Sequence, residues 1–511
     1  MGLIDRLARK RGYVKPEEPK PKRRYRGFDG AKADRLMFNF STSPLHVNSD
    51  LQKQYGALVA RARELAKNDD YVRRFMRVAR NNILGPHGIQ LQARVAFTSG
   101  IKRGEMDTAA NDAIEAAWKE WGHKGTCEAS GRMSWRDVQC MAVDSVMRDG
   151  EAIVELVRDP SAQFGFYVRM IDPVTLPWDY NDKFRGNEVC MGVEVDGMKR
   201  PVAYHFRSSD KACPDYYQFG GRGYVRVSAN YSDGKPRILH MYRAEEVDQV
   251  RGFSGLASAI MRLKMLSGYE EATLVAARIG ASQMVFFEQG EGAGEYTGDD
   301  SYADGSPIDE IEPGIARVLP HGWKAHAYDP KQPTTQYVDF TKQTLRGIAA
   351  GLGLSYITLA NDLESVNYSS ARVGVLEDRE EWKGVQAWFV ESLCMPVYRV
   401  WLEMALLRGK VVLPSGAIMP YDRYEKFQRV TWMPRRWDWV DPLKDMQANQ
   451  LAVSLGVRSV SDIIRERGQD PEEVFAEVQR EKERMKELGI TPEQVTEVVS
   501  NDPEEDETAD D

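Results

Sequence analysis

The stretch from Tyr337 to Arg408 constrains the fold more than any other part of the chain. Phe340, Leu345, Ile348, Ala349 and Leu352 recur at close to helical spacing. Gly351 and Gly353 supply a helix exit. After a polar segment at 361–370, a second stripe runs through Val373, Leu376, Val385, Trp388, Phe389, Leu393, Val397, Val400, Trp401, Met404 and Leu407. At 1.5 Å per residue, roughly forty residues make a rod of about 55–60 Å. Ser369 or Ser370 is placed to cap it. Pro396, with no N–H and a ring that crowds the preceding turn, is placed to kink it. The pattern predicts a long kinked strut joined to a shorter helix through a polar elbow. None of its residue types forms a catalytic constellation.

The 511 residues suffice for two to four domains. Hydrophobic residues at 42% and charged residues at 29% describe an ordinary globular chain. The formal charge of −8 argues against stable wrapping on duplex DNA, which takes a strongly basic domain. The charge does not exclude a passage along which DNA slides, since sliding needs only weak attraction to phosphate. Eleven Trp and 22 Tyr supply anchors for a core and for subunit interfaces. The five cysteines (Cys127, Cys140, Cys190, Cys213, Cys394) are odd in number, scattered and without C-x-x-C, so they read as reduced thiols. The first residues lack the apolar core of a signal peptide, and no run of about 18 apolar residues offers a membrane span.

Taken in order, residues 1–40 form a basic arm, with Lys20, Lys22, Arg23, Arg24 and Arg26, whose composition predicts disorder. Helical periodicity over 51–79 is interrupted at Asp69 or Asp70, and Asn81-Asn82 suggests a turn before a strand. A helix over 107–122 gathers Ala110, Ile114, Ala117, Trp118 and Trp121 on one face, and a Ser134-capped helix ends on Gly150. The period then changes to short β-branched and aromatic runs at 151–157, 165–171, 192–196, 201–206 and 237–242, with Asp196-Gly197 as a hairpin signal. An antiparallel sheet and an α+β fold class follow.

Ser254–Ala281 reads as one long helix, with Leu256, Ile260, Leu263, Leu266, Leu274, Val275 and Ile279 among its apolar positions. Residues 282–333 form a small excursion with strands at 283–288, 313–320 and 324–329 and a glycine-rich loop. Short strand-like pieces occupy 409–440. Helices capped at Ser459 or Ser461 fill 441–490, and an acidic tail predicted to be disordered closes the chain at 491–511.

The chain carries few motifs of known chemistry. G-x-x-x-x-G-K-[ST], H-E-x-x-H and G-x-S-x-G are absent. Of seven histidines only His321 and His326 lie close, without cysteine partners. Glu377, Asp378, Glu380 and Glu381 read as the solvated or salt-bridging side of the strut. By residue types alone the chain is a structural or interaction protein needing no cofactor and no metal.

The order of parts is more specific. It includes Arg251-Gly252 before a long helix, Glu312-Pro313-Gly314, Leu319-Pro320, and Arg346 with Ala349-Ala350-Gly351-Leu352-Gly353. Tyr356, Asp362 and the block Asn367-Tyr368-Ser369-Ser370-Ala371-Arg372 follow, and the segments at 61–92 and 171–177 add to the pattern. Over about residues 40–480 the chain resembles the portal proteins of tailed bacteriophages, specifically the lambda-like family. The resemblance implies a portal fold: a wing at 41–253, a first stem helix at 254–281, a clip at 282–333, and a second stem helix with its exit at 334–360. It further implies a tunnel loop at 361–370, a long kinked helix with a return to the wing at 371–440, and a helical crown at 441–490. It implies a twelve-subunit ring at one capsid vertex through which double-stranded DNA passes. Its partners would be the terminase large subunit, the major capsid protein or scaffold, and head-completion or tail connector proteins, with no membrane. The tunnel loop would comprise Asn361, Asp362, Leu363, Glu364, Ser365, Val366, Asn367, Tyr368, Ser369 and Ser370. Lys342 and Arg346, one turn apart on the second stem helix, would face the channel or a neighbouring stem. The competing readings are a packaging nuclease, which needs acidic ligands for two metal ions, and a different ring-forming virion connector.

Overall fold

A single aspartate divides the first helical stretch. Asp69 has extended backbone, its side chain accepts from the Val72 N–H, and it separates α1 (Val47–Asn68) from α2 (Asp70–Ile83). The computed structural model describes residues 35, 41–97, 104–207, 223–281, 285–289, 300–301, 307–308, 323–327, 336–362, 368–437, 442–466, 471–487 and 489. Asn81 and Asn82 belong to the last turn of α2, because the buried Ile83 carries the helix one residue past them. The turn follows, and then β1 (Gln90–Ala93).

α3 (Thr108–Trp121) is capped by Asp107 and buries Ala110, Ile114, Ala117, Trp118 and Trp121, the face that periodicity selects. α4 (Trp135–Asp149) begins with a reciprocal capping box between Ser134 and Asp137 and ends on left-handed Gly150. The long strut inserts its far end here. It comprises α8 (Tyr368–Phe389), a π turn (Val390–Cys394) and α9 (Met395–Leu407). The Trp118 ring lies 4.8 Å from Trp121, 4.9 Å from Trp401 and 5.6 Å from Trp135. Offset and edge-on contacts of this kind bind α3, α4 and α9 into one core. Leu393, Val397, Leu402 and Ala405 are fully enclosed there. The π turn meets Pro396: the Met395 N–H reaches back to the Val390 carbonyl, a widened turn that takes up the missing proline N–H. β14 (Val430–Met433) then returns to pair antiparallel with β1, Gln90 opposite Met433. The segment at 410–416 forms a turn closed by a bridge from Val412 to Ile418, not a strand.

The predicted antiparallel sheet is two sheets. One has the order β3-β2-β9, from β2 (Glu151–Arg158), β3 (Phe166–Ile171) and β9 (Ile238–Tyr242). The other runs β4-β5-β6-β7-β8, from β4 (Asp182–Phe184), β5 (Asn187–Cys190), β6 (Val193–Val195), β7 (Pro201–Arg207) and β8 (Tyr224–Ser228). β2 is buried on both faces, Val154 toward the tryptophan core and Ile153 toward the second sheet, which is why its sequence lacks clean alternation. The hairpin at Asp196 is present but wider than an Asp-Gly turn. The Asp196 carboxylate accepts from the Met198 and Arg200 N–H groups, and the left-handed residue is Lys199, not Gly197.

α5 spans Ile260–Ala281; residue 254 is irregular and 255–259 are turns, in place of the predicted first helical turns. Within the excursion, β10 (Val285–Gln289) pairs antiparallel with β13 (Trp323–Ala327), and β11 (Asp300–Ser301) with β12 (Pro307–Ile308). The strand expected at 313–320 lies outside the described residues, as do the basic arm apart from residue 35 and the acidic tail. After the short α10 (Tyr424–Phe427), toward the C-terminus come α11 (Pro442–Ser454), α12 (Val460–Glu466) and α13 (Pro471–Glu487). Ser459, not Ser461, caps α12: its hydroxyl accepts from the Asp462 N–H while the Asp462 carboxylate accepts from the Ser459 N–H.

Candidate functional site: the elbow and its supports

α6 (Gln336–Gly351) buries Leu345, Ile348 and Ala349, while Val338 and Phe340 remain exposed. Gly353 provides the exit, with φ of +69°. The Gly351 carbonyl accepts from the Ser258 hydroxyl at 2.9 Å, joining the end of α6 to the segment before α5. A five-residue helix, α7 (Tyr356–Ala360), stands between this exit and the elbow.

α7 is clamped at both ends. At its start, the Asp378 carboxylate of α8 accepts from the Ser355 N–H (2.9 Å), the Ser355 hydroxyl (2.7 Å) and the Thr358 hydroxyl (2.7 Å). Asp378 is therefore half-buried and structural, unlike the solvated-face reading, whereas Glu381 pairs with Arg243 at 3.0 Å and Glu380 with Lys383 at 2.5 Å. At its end, Asn361 adopts the left-handed conformation with φ of 56° and donates its N–H to the Ile357 carbonyl. Arg74 of α2 donates to the Asn361 side-chain oxygen at 3.1 Å and to the Thr358 carbonyl at 3.3 Å.

Asp362 is held in turn. Lys342 approaches its carboxylate at 3.3 Å and the Tyr356 hydroxyl donates to it at 2.9 Å. The Arg346 guanidinium lies 5.5 Å from the centre of the Tyr356 ring. Lys342 and Arg346 thus converge on one end of the elbow, Lys342 through a carboxylate and Arg346 through an aromatic ring. Leu363, Glu364, Ser365, Val366 and Asn367 lie outside the described residues. Tyr368, Ser369 and Ser370 are already helical, so the elbow is shorter than the predicted 361–370 and neither serine is the N-cap of α8. Arg74 carried no signal in the sequence, because its partners are 284 and 287 residues away.

A second polar centre lies where the α+β body gives way to the helices. Arg251 and Glu151 are completely buried and joined by a bidentate ion pair. Arg251 also donates to the carbonyls of Leu176 (3.0 Å), Met191 (3.1 Å) and Pro173 (3.1 Å). Glu151 further accepts from the Tyr55 hydroxyl (2.7 Å) and the Gly252 N–H (3.1 Å), and contacts His240 Nε2 at 2.9 Å. Burial alone would raise the Glu151 carboxyl, but Arg251 and His240 beside it hold it well below the usual carboxylate range. Gly150 and Gly252 let two backbones touch: a Cβ on Gly252 would sit 2.1 Å from the Gly150 carbonyl oxygen. This explains physically why Arg251-Gly252 stands before α5. With every polar group matched and no open face, the cluster is a joint rather than a reaction centre.

Among the described residues, no group of three or more His, Cys, Asp or Glu side chains is arranged to hold a metal, and no helix is long and apolar enough to cross a membrane. Burial pushes the Cys127 thiol up to about 12 and the fully enclosed Cys394 thiol higher still, so both are poor nucleophiles. An α+β body thus carries α6 and α8, joined through α7 and an elbow whose root is held by Arg74, Lys342 and Asp378.

Residues 33–386 match the family described as phage portal protein, lambda family. A relative from Halomonas phage phiHAP-1, named "Probable portal protein", is 32% identical over 96% of this chain and 94% of its own length. Portal protein B of Escherichia phage lambda is 23% identical over 85% of this chain and 84% of its own length. Among solved structures, the C12-symmetric neck of a native gene transfer agent particle is similar at 12% identity and a TM-score of 0.42, covering 82% of this chain and 94% of that one. The chain belongs to the lambda family of phage portal proteins, the structural connectors between head and tail.

Proposed function

We propose that this portal protein assembles as a twelve-subunit ring at one vertex of the virion capsid and surrounds the channel through which double-stranded DNA is packaged and ejected. In this reading the wing is 41–253 with the return of the strut, the stem helices are α5 and α6, the clip is 282–333 and the crown is 441–490. The segment at 361–370 faces the DNA. The clip docks the terminase large subunit during packaging and the head-completion or tail connector proteins afterwards, while the outer wing meets the major capsid protein or scaffold. The chain acts without a catalytic step of its own, and the ring assembles in the host cytoplasm.

The observation that carries the proposal is the unpartnered stem. Along α5, Met261 and Met265 are 65% and 67% exposed, and Leu274 and Val275 are exposed beyond them. Val338 and Phe340 of α6 are exposed apolar side chains as well. A helix that is apolar beyond the face it buries in its own chain calls for a neighbour. Head-to-tail packing of identical stems that closes on itself gives a ring. The braced elbow base complements this, since a loop that borders moving DNA needs a fixed root.

Electron microscopy of the purified protein tests the assembly: rings with a channel wide enough for duplex DNA are expected, and a monomer under all assembly conditions refutes it. Deleting 363–367 is expected to leave rings intact and lower packaged-DNA yield or retention; normal yield and retention remove the elbow from the channel. Replacing the clip loop at 290–299 is expected to weaken capture of terminase in a pull-down, and unaltered capture removes that assignment.

A further inference from the structure

α2 turns a cationic face outward beside the elbow. Val72, Phe75, Met76, Val78, Ala79 and Ile83 are buried, which leaves Asp70, Arg73, Arg74, Arg77 and Asn81 exposed on the opposite side. Arg74 spends its guanidinium on Thr358 and Asn361, which places this face at the level of the elbow root. Arg73 and Arg77 form no ion pair with any described residue. They are one turn apart, and like charges at that spacing repel unless an anion lies between them. Arg346 of α6, also exposed, lies over the Tyr356 ring, whose hydroxyl bonds Asp362 of the same root. Three arginines against one aspartate on a single helix face is a local reversal in a chain of net charge −8.

We infer that the Arg73–Arg77 face of α2 contacts the phosphate backbone of duplex DNA inside the channel, next to the elbow. The guanidinium fork suits phosphate oxygens and reads no base, so the contact is independent of sequence. Two free arginines per subunit, repeated around a ring, give many weak contacts in place of a few strong ones. That distribution tolerates sliding. The inference rests on the portal reading, because only a channel brings DNA to this face.

The experiment uses assembled rings and a fluorescent 60-base-pair linear duplex, with a nicked circular duplex as the control that has no end to thread. Binding is followed across a salt series. Arg73→Ala/Arg77→Ala rings are expected to bind the linear duplex more weakly, with the slope of log affinity against log salt reduced by about one or more. Binding of the circular duplex stays unchanged, and Arg73→Lys/Arg77→Lys rings keep the slope of the unaltered protein. Ring counting by mass photometry confirms that each variant assembles. An unchanged slope on the linear duplex overturns the inference. So does a variant whose rings fall apart at lower salt while those remaining bind DNA normally, which would assign the anion to a neighbouring subunit's carboxylate. Unaltered rings that take up no linear duplex also overturn it, while the presence of rings with a channel still bears separately on the portal reading.

Discussion

Replacing Arg251 by methionine tests the joint between the α+β body and α5. The substitution keeps an apolar stem of similar length and removes the guanidinium. Glu151 is left as a buried carboxylate with its principal counter-charge gone. Removing one partner of a buried ion pair costs about 3–5 kcal/mol. The carbonyls of Leu176 and Met191 also lose their donor, while that of Pro173 keeps the Leu176 N–H. Each unsatisfied group adds about 1 kcal/mol or more. The expected loss is therefore at least about 5 kcal/mol, comparable with the whole stability of many domains at about 5–15 kcal/mol. Urea unfolding followed by intrinsic fluorescence reads it, since Trp178 lies 5.6 Å from Tyr55, a direct partner of Glu151. The Arg251→Met/Glu151→Gln double variant is expected to recover about 2 kcal/mol or more, because it removes the stranded charge. A single variant that loses less than about 1 kcal/mol, or a double variant no better than the single one, refutes the argument that this pair is a mutually dependent buried unit.

Three further outcomes follow from the same contacts. Gly252→Ala is expected to yield little soluble protein, because the new Cβ would overlap the Gly150 carbonyl at 2.1 Å, and normal yield and melting temperature would show that the two backbones separate freely. The Arg226 hydrogen bond holds the buried Glu194 carboxyl down at about 2 against an ordinary value of 4.5, so its stabilisation is complete above pH 4.5 and is lost as pH falls toward 2. Glu194→Gln should therefore flatten the acid limb of stability between pH 4.5 and 2, and an identical acid limb in the variant contradicts this. Arg74→Ala should leave ring assembly intact but speed hydrogen exchange at the Asn361 amide, roughly tenfold for a lost charge-assisted contact of about 1.4 kcal/mol. Unchanged exchange there would mean that Arg74 does not brace the elbow.

The family and the α+β class were legible in the sequence because both live in local pattern. Helical and strand periods, the caps at Asp69, Ser134 and Ser459 and the glycine at Gly150 depend on neighbours a few residues away, and each forms its element. The buried face of α3 was equally legible, since one stripe can serve only one core. Where local signals competed, the surroundings decided. Buried Ile83 drew Asn81-Asn82 into a helix, and Lys199 rather than Gly197 took the left-handed position in the hairpin. The helix over 254–281 lost its first turns, and the long strut began at Tyr368 rather than after a serine cap. The candidate site divides in the same way. Sequence singled out Lys342, Arg346, Asp362 and Arg251-Gly252 as residues of interest, but not what each one touches. Only the tertiary structure set Lys342 against Asp362, Asp378 beneath Ser355, and Arg74 across nearly 290 positions onto the elbow root. Spacing along a chain encodes which residues share a face. Which faces meet is settled only when long-range packing closes the core, and the positions of the elbow's supports follow from that packing.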